Sequence, residues 1–316
     1  MITVPNPARG AVMVIASSGF FAVNGTVSKL VIQAGIAPAH LTTLRATGAF
    51  LVLLGIALAH RPRQLAIQRR ELAMLAGYGV TGFFLVPMLY FIAISRLPVG
   101  IGLLFEYTAP LLVATWARFG QHQPVRRRLW TGLALSLAGL ACVAEVWGRG
   151  RLDPLGVAAG LGAAVLLAVY YVVGARGVAR RDPLSLTCWA FGVSALCGAL
   201  VRPWWGFPFP VLHTTRAGVP VWLLCCYVVV LGSVVPYVLV TGALQHLPAT
   251  SVGIIGMVEP VLAATIAWLV LGEGLTVAQL LGGALVLGGV ALAETARIGG
   301  PDPATHPGTP PPLPPT

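Results

Sequence analysis

Residues 247–273 read LPATSVGIIGMVEPVLAATIAWLVLGE. The run is long enough to cross a bilayer, yet Glu259 and Pro260 stand at its middle. A helix in lipid must satisfy its backbone internally, and proline removes one donor and loosens the turn before it. A carboxyl group at that depth is costly and marks function by default. Residues 97–123, LPVGIGLLFEYTAPLLVATWARFGQHQ, repeat the pattern. Pro98 and Pro248 lie 150 positions apart, as do Pro110 and Pro260, and the same offset relates Thr115 to Thr265, Gly132 to Gly282 and Gly139 to Gly289. The chain is built twice, and each copy carries a segment broken by proline, at Pro110 and at Pro260.

Composition agrees with a lipid setting. Of 316 residues 57% are hydrophobic and 9% charged, and the mean hydropathy is +0.86, whereas soluble domains carry about 25% charged residues. The expectation is an all-α integral membrane protein with ten spanning segments, at 10–32, 38–59, 72–94, 99–119, 129–147, 154–175, 183–201, 220–243, 249–271 and 277–296. Five per half is an odd number, so the second half enters the membrane from the opposite side. Two inverted five-helix repeats follow, 1–147 and 148–297, with a Pro-rich tail, 298–316, that has no apolar face to bury and is expected to be disordered. Inverted repeats point to alternating access about a site near the midplane. Asp153-Pro154 and Asp182-Pro183 read as helix starts, aspartate capping and proline at the first helical position.

The net charge of +11 does not signal nucleic acid. Nineteen of the twenty basic residues are arginine, placed mainly in gaps between apolar runs. With the N-terminus inside, the inner gaps hold Arg9, Arg61, Arg63, Arg69, Arg70, Arg118, Arg126, Arg127, Arg128, Arg176, Arg180, Arg181 and Arg297, and the outer gaps hold only Arg96, Arg149, Arg151, Arg202 and Arg216. The gap at Gln245–His246 has no arginine. This bias predicts both termini in the cytoplasm. The gap 202–219, with Trp204, Trp205, Phe207 and Phe209, reads as an outer interfacial loop. The N-terminal apolar run exceeds a signal-peptide core and is expected to stay as the first helix. The five cysteines sit in apolar segments without metal-like spacing and read as buried thiols.

Few polar residues lie within the apolar segments. Glu259 is either a proton or substrate-amine site in a broken helix, or a neutral carboxyl group bonded to its neighbours. Glu106 aligns with Gly256, three positions from the equivalent of Glu259, so both carboxyl groups are expected on one helix face toward the interface between the halves. Tyr107, adjacent to Glu106, is expected to point elsewhere. Arg45 either holds a substrate carboxylate or pairs within the bundle. Asn24, Tyr90, Tyr237 and Gln245 are candidate cavity-lining groups or helix-packing partners. Lys29 is expected to snorkel, and Glu145 and Glu273 to be solvated at helix ends. The paired glycines and the GxxxG at Gly156–Gly160 serve either intramolecular packing or a homodimer face.

No HExxH, GxSxG or Walker A motif occurs, so no enzyme, metal or cofactor constellation is read. Without a nucleotide motif, a secondary transporter remains.

The stretch EPVLAATIAWLVLGEGLTVAQLLGGALVLGGV resembles the EamA repeat of the drug/metabolite transporter superfamily, and LPVGIGLLFEYTAPLLVA is similar to the matching part of its bacterial threonine/homoserine exporters. The chain departs from the pattern at Gln123, where the second copy has Glu273. The resemblance implies ten helices, an inner-membrane location and export of small metabolites. The expected function is therefore export of a small amino acid or related compound, coupled to protons. The alternatives are broad-specificity export of amphipathic compounds and, further off, a membrane-embedded enzyme or scaffold. Of the two carboxyl groups, Glu106 is expected to couple protons and Glu259 to serve the broken helix, because Glu106 has no adjacent proline to explain it.

Overall fold

A computed structural model of the chain describes residues 5–60, 62–123, 125–148, 152–271 and 276–298. The Pro-rich segment from 299 onward and Glu273 lie outside the described residues. The long helices are α1 (Pro7–Gln33), α2 (Pro38–His60), α3 (Arg69–Arg96), α4 (Val99–Gly120), α5 (Arg127–Val143), α6 (Pro154–Val178), α7 (Pro183–Val201), α8 (Val221–Ala243), α9 (Ala249–Ile266) and α10 (Val277–Ile298). Among the described residues nine of these are long and apolar enough to cross a membrane, while α5 has 17 residues.

Helix starts follow local chemistry. Asp153 accepts from the Gly156 N–H at 2.8 Å and Asp182 from the Ser185 N–H at 3.4 Å, each ahead of a proline at the first turn. The Gly156 N–H, with Arg96 beside it, holds the Asp153 carboxyl below its usual range. Asn6 caps α1 in the same way, accepting from the Arg9 N–H at 3.0 Å.

The two proline-bearing helices break at matched places. In α4 the helical turns Val99–Glu106 and Ala109–Thr115 are separated by Tyr107 and Thr108. In α9, Ala249–Gly256 and the half-helix that Glu259 opens are separated by Met257 and Val258. Pro110 and Pro260 offer no N–H to the carbonyls of Glu106 and Gly256, four residues earlier, and the first half-helix ends at that residue in both copies. A second matched pair was not legible in the sequence. Helices α3 and α8 each contain a π-helical segment, Gly79–Leu85 and Val230–Val234, directly before Val86-Pro87 and Val235-Pro236. Pro87 cannot donate to the Phe83 carbonyl, and Ser194 Oγ of α7 donates to it instead at 2.9 Å.

Helices α5 and α10 meet on glycine. A Cβ on Gly132 would stand 2.6 Å from the Gly289 carbonyl oxygen, and one on Gly139 would stand 2.6 Å from that of Gly282. Ser136 Oγ donates to the Val286 carbonyl at 3.4 Å between these contacts. Gly156 and Gly160 also face this chain, against Leu97 and Phe105. Close backbone approach of this kind is the main source of helix affinity in lipid.

The 202–219 segment is not uniformly exposed. Trp205 is 91% exposed, but Phe207 is buried, packed edge-on to His40 with ring centres 5.7 Å apart. The segment ends in a hairpin, β1 (Thr215–Arg216) and β2 (Val219–Pro220), turned by Ala217 and Gly218, both at positive φ, the geometry that suits a two-residue turn.

Candidate functional site

The breaks and π segments converge on one cavity of about 90 Å³, room for about three waters. Its lining includes Asn24 from α1, Arg45 from α2, Tyr90 from α3, Glu106 and Tyr107 from α4, Tyr170 and Tyr171 from α6, Tyr237 from α8 and Glu259 from α9. Both halves of the chain contribute.

Glu259 opens the second half-helix of α9, in its first turn, where the helix dipole favours negative charge. It is buried, and Tyr107 Oη donates to its Oε2 at 2.6 Å. Tyr107 therefore does not point elsewhere, as adjacency to Glu106 on a continuous helix had suggested. The turn at Tyr107–Thr108 swings it across to the other half. Glu106 closes the first half-helix of α4, at the end where a dipole disfavours an anion. It is half-buried and accepts no hydrogen bond from the described residues. The two carboxyl groups thus face one cavity from opposite ends of two half-helices.

Arg45 is 2% exposed. Its Nε donates to Ser233 Oγ at 2.9 Å, and Ser233 Oγ in turn donates to the Val228 carbonyl at 2.7 Å. The guanidinium lies over the rings of Tyr237, at 5.0 Å, and Phe191, at 5.5 Å. Its Nη2 has no hydrogen-bond partner among the described residues. The pairing with a carboxylate considered for Arg45 is absent within 4.0 Å among the described residues. Its fixed bond is to a hydroxyl, and the rest of its charge meets aromatic faces.

Small residues let these groups approach. A Cβ on Gly232 would collide with the Asn24 amide, and one on Gly82 with the Tyr170 ring. Asn24 and Ser28 are hydrogen-bonded at 3.4 Å.

Two other expectations change. Gln245 does not reach this cavity. It lines a second one, of about 950 Å³, with Gln64, Glu71, Arg180, Arg181 and Leu244. Lys29 does not simply reach toward water, since its Nζ donates to the Leu97 carbonyl at 2.9 Å. Glu145 stays at an exposed helix end, as expected, and there accepts from Thr276 Oγ1 at 2.5 Å. Sequence reading missed Tyr107, Tyr170, Tyr171 and Ser233. The Tyr170-Tyr171 pair inside an apolar run was the available signal, since buried hydroxyls need partners.

The second cavity is rimmed by a clamp. Arg181 pairs with Glu71 at 2.8 Å, donates to the Gln64 and Ala66 carbonyls at 2.8 Å, and donates to Ser185 Oγ at 2.9 Å. Trp189 Nε1 donates to the Leu65 carbonyl at 3.0 Å. A continuous series of contacts joins the two cavities. Tyr170 stacks on Tyr78 at 5.2 Å, and Gly174 admits the Tyr78 hydroxyl and Leu244 side by side.

The chain matches the model of the EamA-like transporter family twice, over residues 8–144 and 154–295. It is 28% identical over 263 residues to the threonine/homoserine exporter RhtA of Escherichia coli K12, covering 81% of this chain and 82% of the relative. Identity to RhtA of Salmonella typhimurium LT2 is 30% over 246 residues, 76% of each chain. An uncharacterized transporter of Archaeoglobus fulgidus is 27% identical over 270 residues, 85% of this chain and 91% of that one. A solved crystal structure shares the fold with a TM-score of 0.74 at 20% identity, covering 92% of this chain and 98% of the other. Two family matches spanning most of the sequence, with relatives that align over three quarters of it or more, make this multi-pass membrane protein a member of the EamA-like transporter family.

Proposed function

We propose that this transporter exports a small amino acid or a close relative, of the size of threonine or homoserine, by alternating access coupled to protons. The observation that carries the reading is the central cavity, where Glu106 and Glu259 come from matched broken helices of the two halves and share the space with Arg45. Opposite charges in a small cavity suit a zwitterion. The exporter names of the RhtA relatives support the same class.

In this reading α5 is the tenth span, and the halves, 1–147 and 148–297, are inverted about an axis near Ser136 and Val286. The crossed glycine contacts, Gly132 with Gly289 and Gly139 with Gly282, support it, because such a pattern requires α5 and α10 to run in opposite directions. The closed contact series between two cavities suits a carrier that opens to one side at a time. The Glu106 carboxyl, which accepts no hydrogen bond from the described residues and lies beside the dipole end that disfavours charge, serves as the proton site. Glu259, fixed by Tyr107, serves the architecture of the break.

Flux from proteoliposomes loaded with a panel of amino acids and amphipathic cations, with and without a pH gradient, tests the function. Glu106→Gln should keep exchange and abolish pH-driven accumulation. Glu259→Gln should lower folded yield or all flux alike. Full pH-driven transport by Glu106→Gln would sink the assignment, and the same uncoupled phenotype in both would put both carboxyl groups in one site. The runner-up, broad export of amphipathic compounds, is favoured by the tyrosine-rich lining, and cation flux without amino-acid flux would select it.

A further inference from the structure

We infer that Arg45 is the carboxylate anchor of the central cavity, its Nη2 donating to a carboxylate on the transported molecule. The inference deepens the export reading above, although the anchor itself requires only a carboxylate.

A buried guanidinium is normally saturated, because leaving its donors unpaired is costly. Arg45 is an exception built with care. Ser233 takes Nε, and that hydroxyl is itself fixed by the Val228 carbonyl within the π segment of α8. Tyr237 and Phe191 lie along the plane of the group. Nη2 is buried and has no hydrogen-bond partner among the described residues, on a residue that lines the cavity. A guanidinium held in one orientation with Nη2 left to donate matches a carboxylate oxygen.

Other anions fit less well. Glu106 and Glu259 line the same small space, so a phosphate dianion would meet repulsion there, whereas an ammonium group on the same ligand would be attracted. The cavity therefore selects a carboxylate at one wall and a cation at the other, and Arg45 sets which way the molecule lies.

The test is binding to the purified full chain by calorimetry, with three probes built on one skeleton. L-threonine carries both charged groups, 3-hydroxybutyrate the carboxylate alone, and 1-amino-2-propanol the ammonium alone. Wild type should bind threonine most tightly. Arg45→Gln should raise Kd for the two carboxylates by about 10- to 100-fold, the size of a hydrogen bond to a charged group, and should not weaken the amine, whose repulsion by the guanidinium is removed. Ser233→Ala keeps the charge but frees the guanidinium, and should weaken the same two probes by a smaller factor. Equal shifts for all three probes, or none, in these variants would overturn the anchor, as would wild type binding the amine as tightly as threonine. The last comparison needs no variant, so it decides even if Arg45→Gln does not fold. If 3-hydroxybutyrate binds in an Arg45-dependent way and threonine binds no tighter, the anchor stands and the amino-acid reading falls.

Discussion

The hydrogen bond between Tyr107 and Glu259 is one of those that tie the two halves, and it does so at the central cavity. Both partners are buried, so losing the hydroxyl leaves a carboxyl oxygen without its donor. Tyr107→Phe keeps the ring and removes the donor, and should cost about 1–3 kcal/mol, read as a lower thermal midpoint of the purified protein. Combined with Glu259→Gln, the loss should be smaller than the sum of the two, because one interaction is being removed twice. Additive losses would show that the pair does not act as a unit. This residue also marks where sequence reasoning reached its limit. Glu106, Glu259 and Arg45 stood out because charge in an apolar run is expensive. Tyr107 did not, because neighbours on a continuous helix point about 100° apart. Only the two-residue break, whose geometry depends on the surrounding helices, turns it toward the other half. Gln245 stood out as a lone polar residue, and which cavity it lines depends on the tertiary packing past Ala243 rather than on local sequence.

At the scale of elements, the constant offset of 150 positions made the matched breaks and glycines of α4 with α9 and α5 with α10 readable from the letters alone. The π segments were not readable, since an extra residue in a turn leaves no compositional trace. Glycine on α5 has a measurable consequence. At Gly139 an added Cβ meets the backbone carbonyl of Gly282, not a flexible side chain, so relief requires moving a helix. Gly139→Ala should cost about 1–3 kcal/mol, as overpacking does, measured as a lower midpoint in denaturant or on heating. Gly288 on α10 is the control, because a Cβ there meets nothing within 4 Å. Gly288→Ala should be neutral. Equal behaviour of the two variants would remove the close backbone packing from the account of how the halves join.

For the molecule as a whole, orientation rests on charge. Arginines gather in the segments that border the second cavity, where Arg180 and Arg181 rim the opening and Glu71 and Gln64 complete the clamp. The opposite loop, 202–219, carries aromatic residues instead, with Trp205 almost fully exposed and Phe207 tucked against His40. Positive loops are retained in the cytoplasm, and aromatic side chains settle at the membrane interface. The large cavity should therefore open inward and the aromatic loop should lie outside. Cys142, Cys188, Cys197, Cys225 and Cys226 are first replaced. Single cysteines are then introduced by Pro210→Cys in the aromatic loop and Gln68→Cys beside the second cavity. An impermeant thiol reagent applied to intact cells should label position 210 at once and position 68 only after permeabilisation. The reverse pattern would invert the molecule in the membrane and place the Arg181 clamp on the outer face. It would leave the cavity chemistry intact while reversing the side from which the proton site proposed at Glu106 would load.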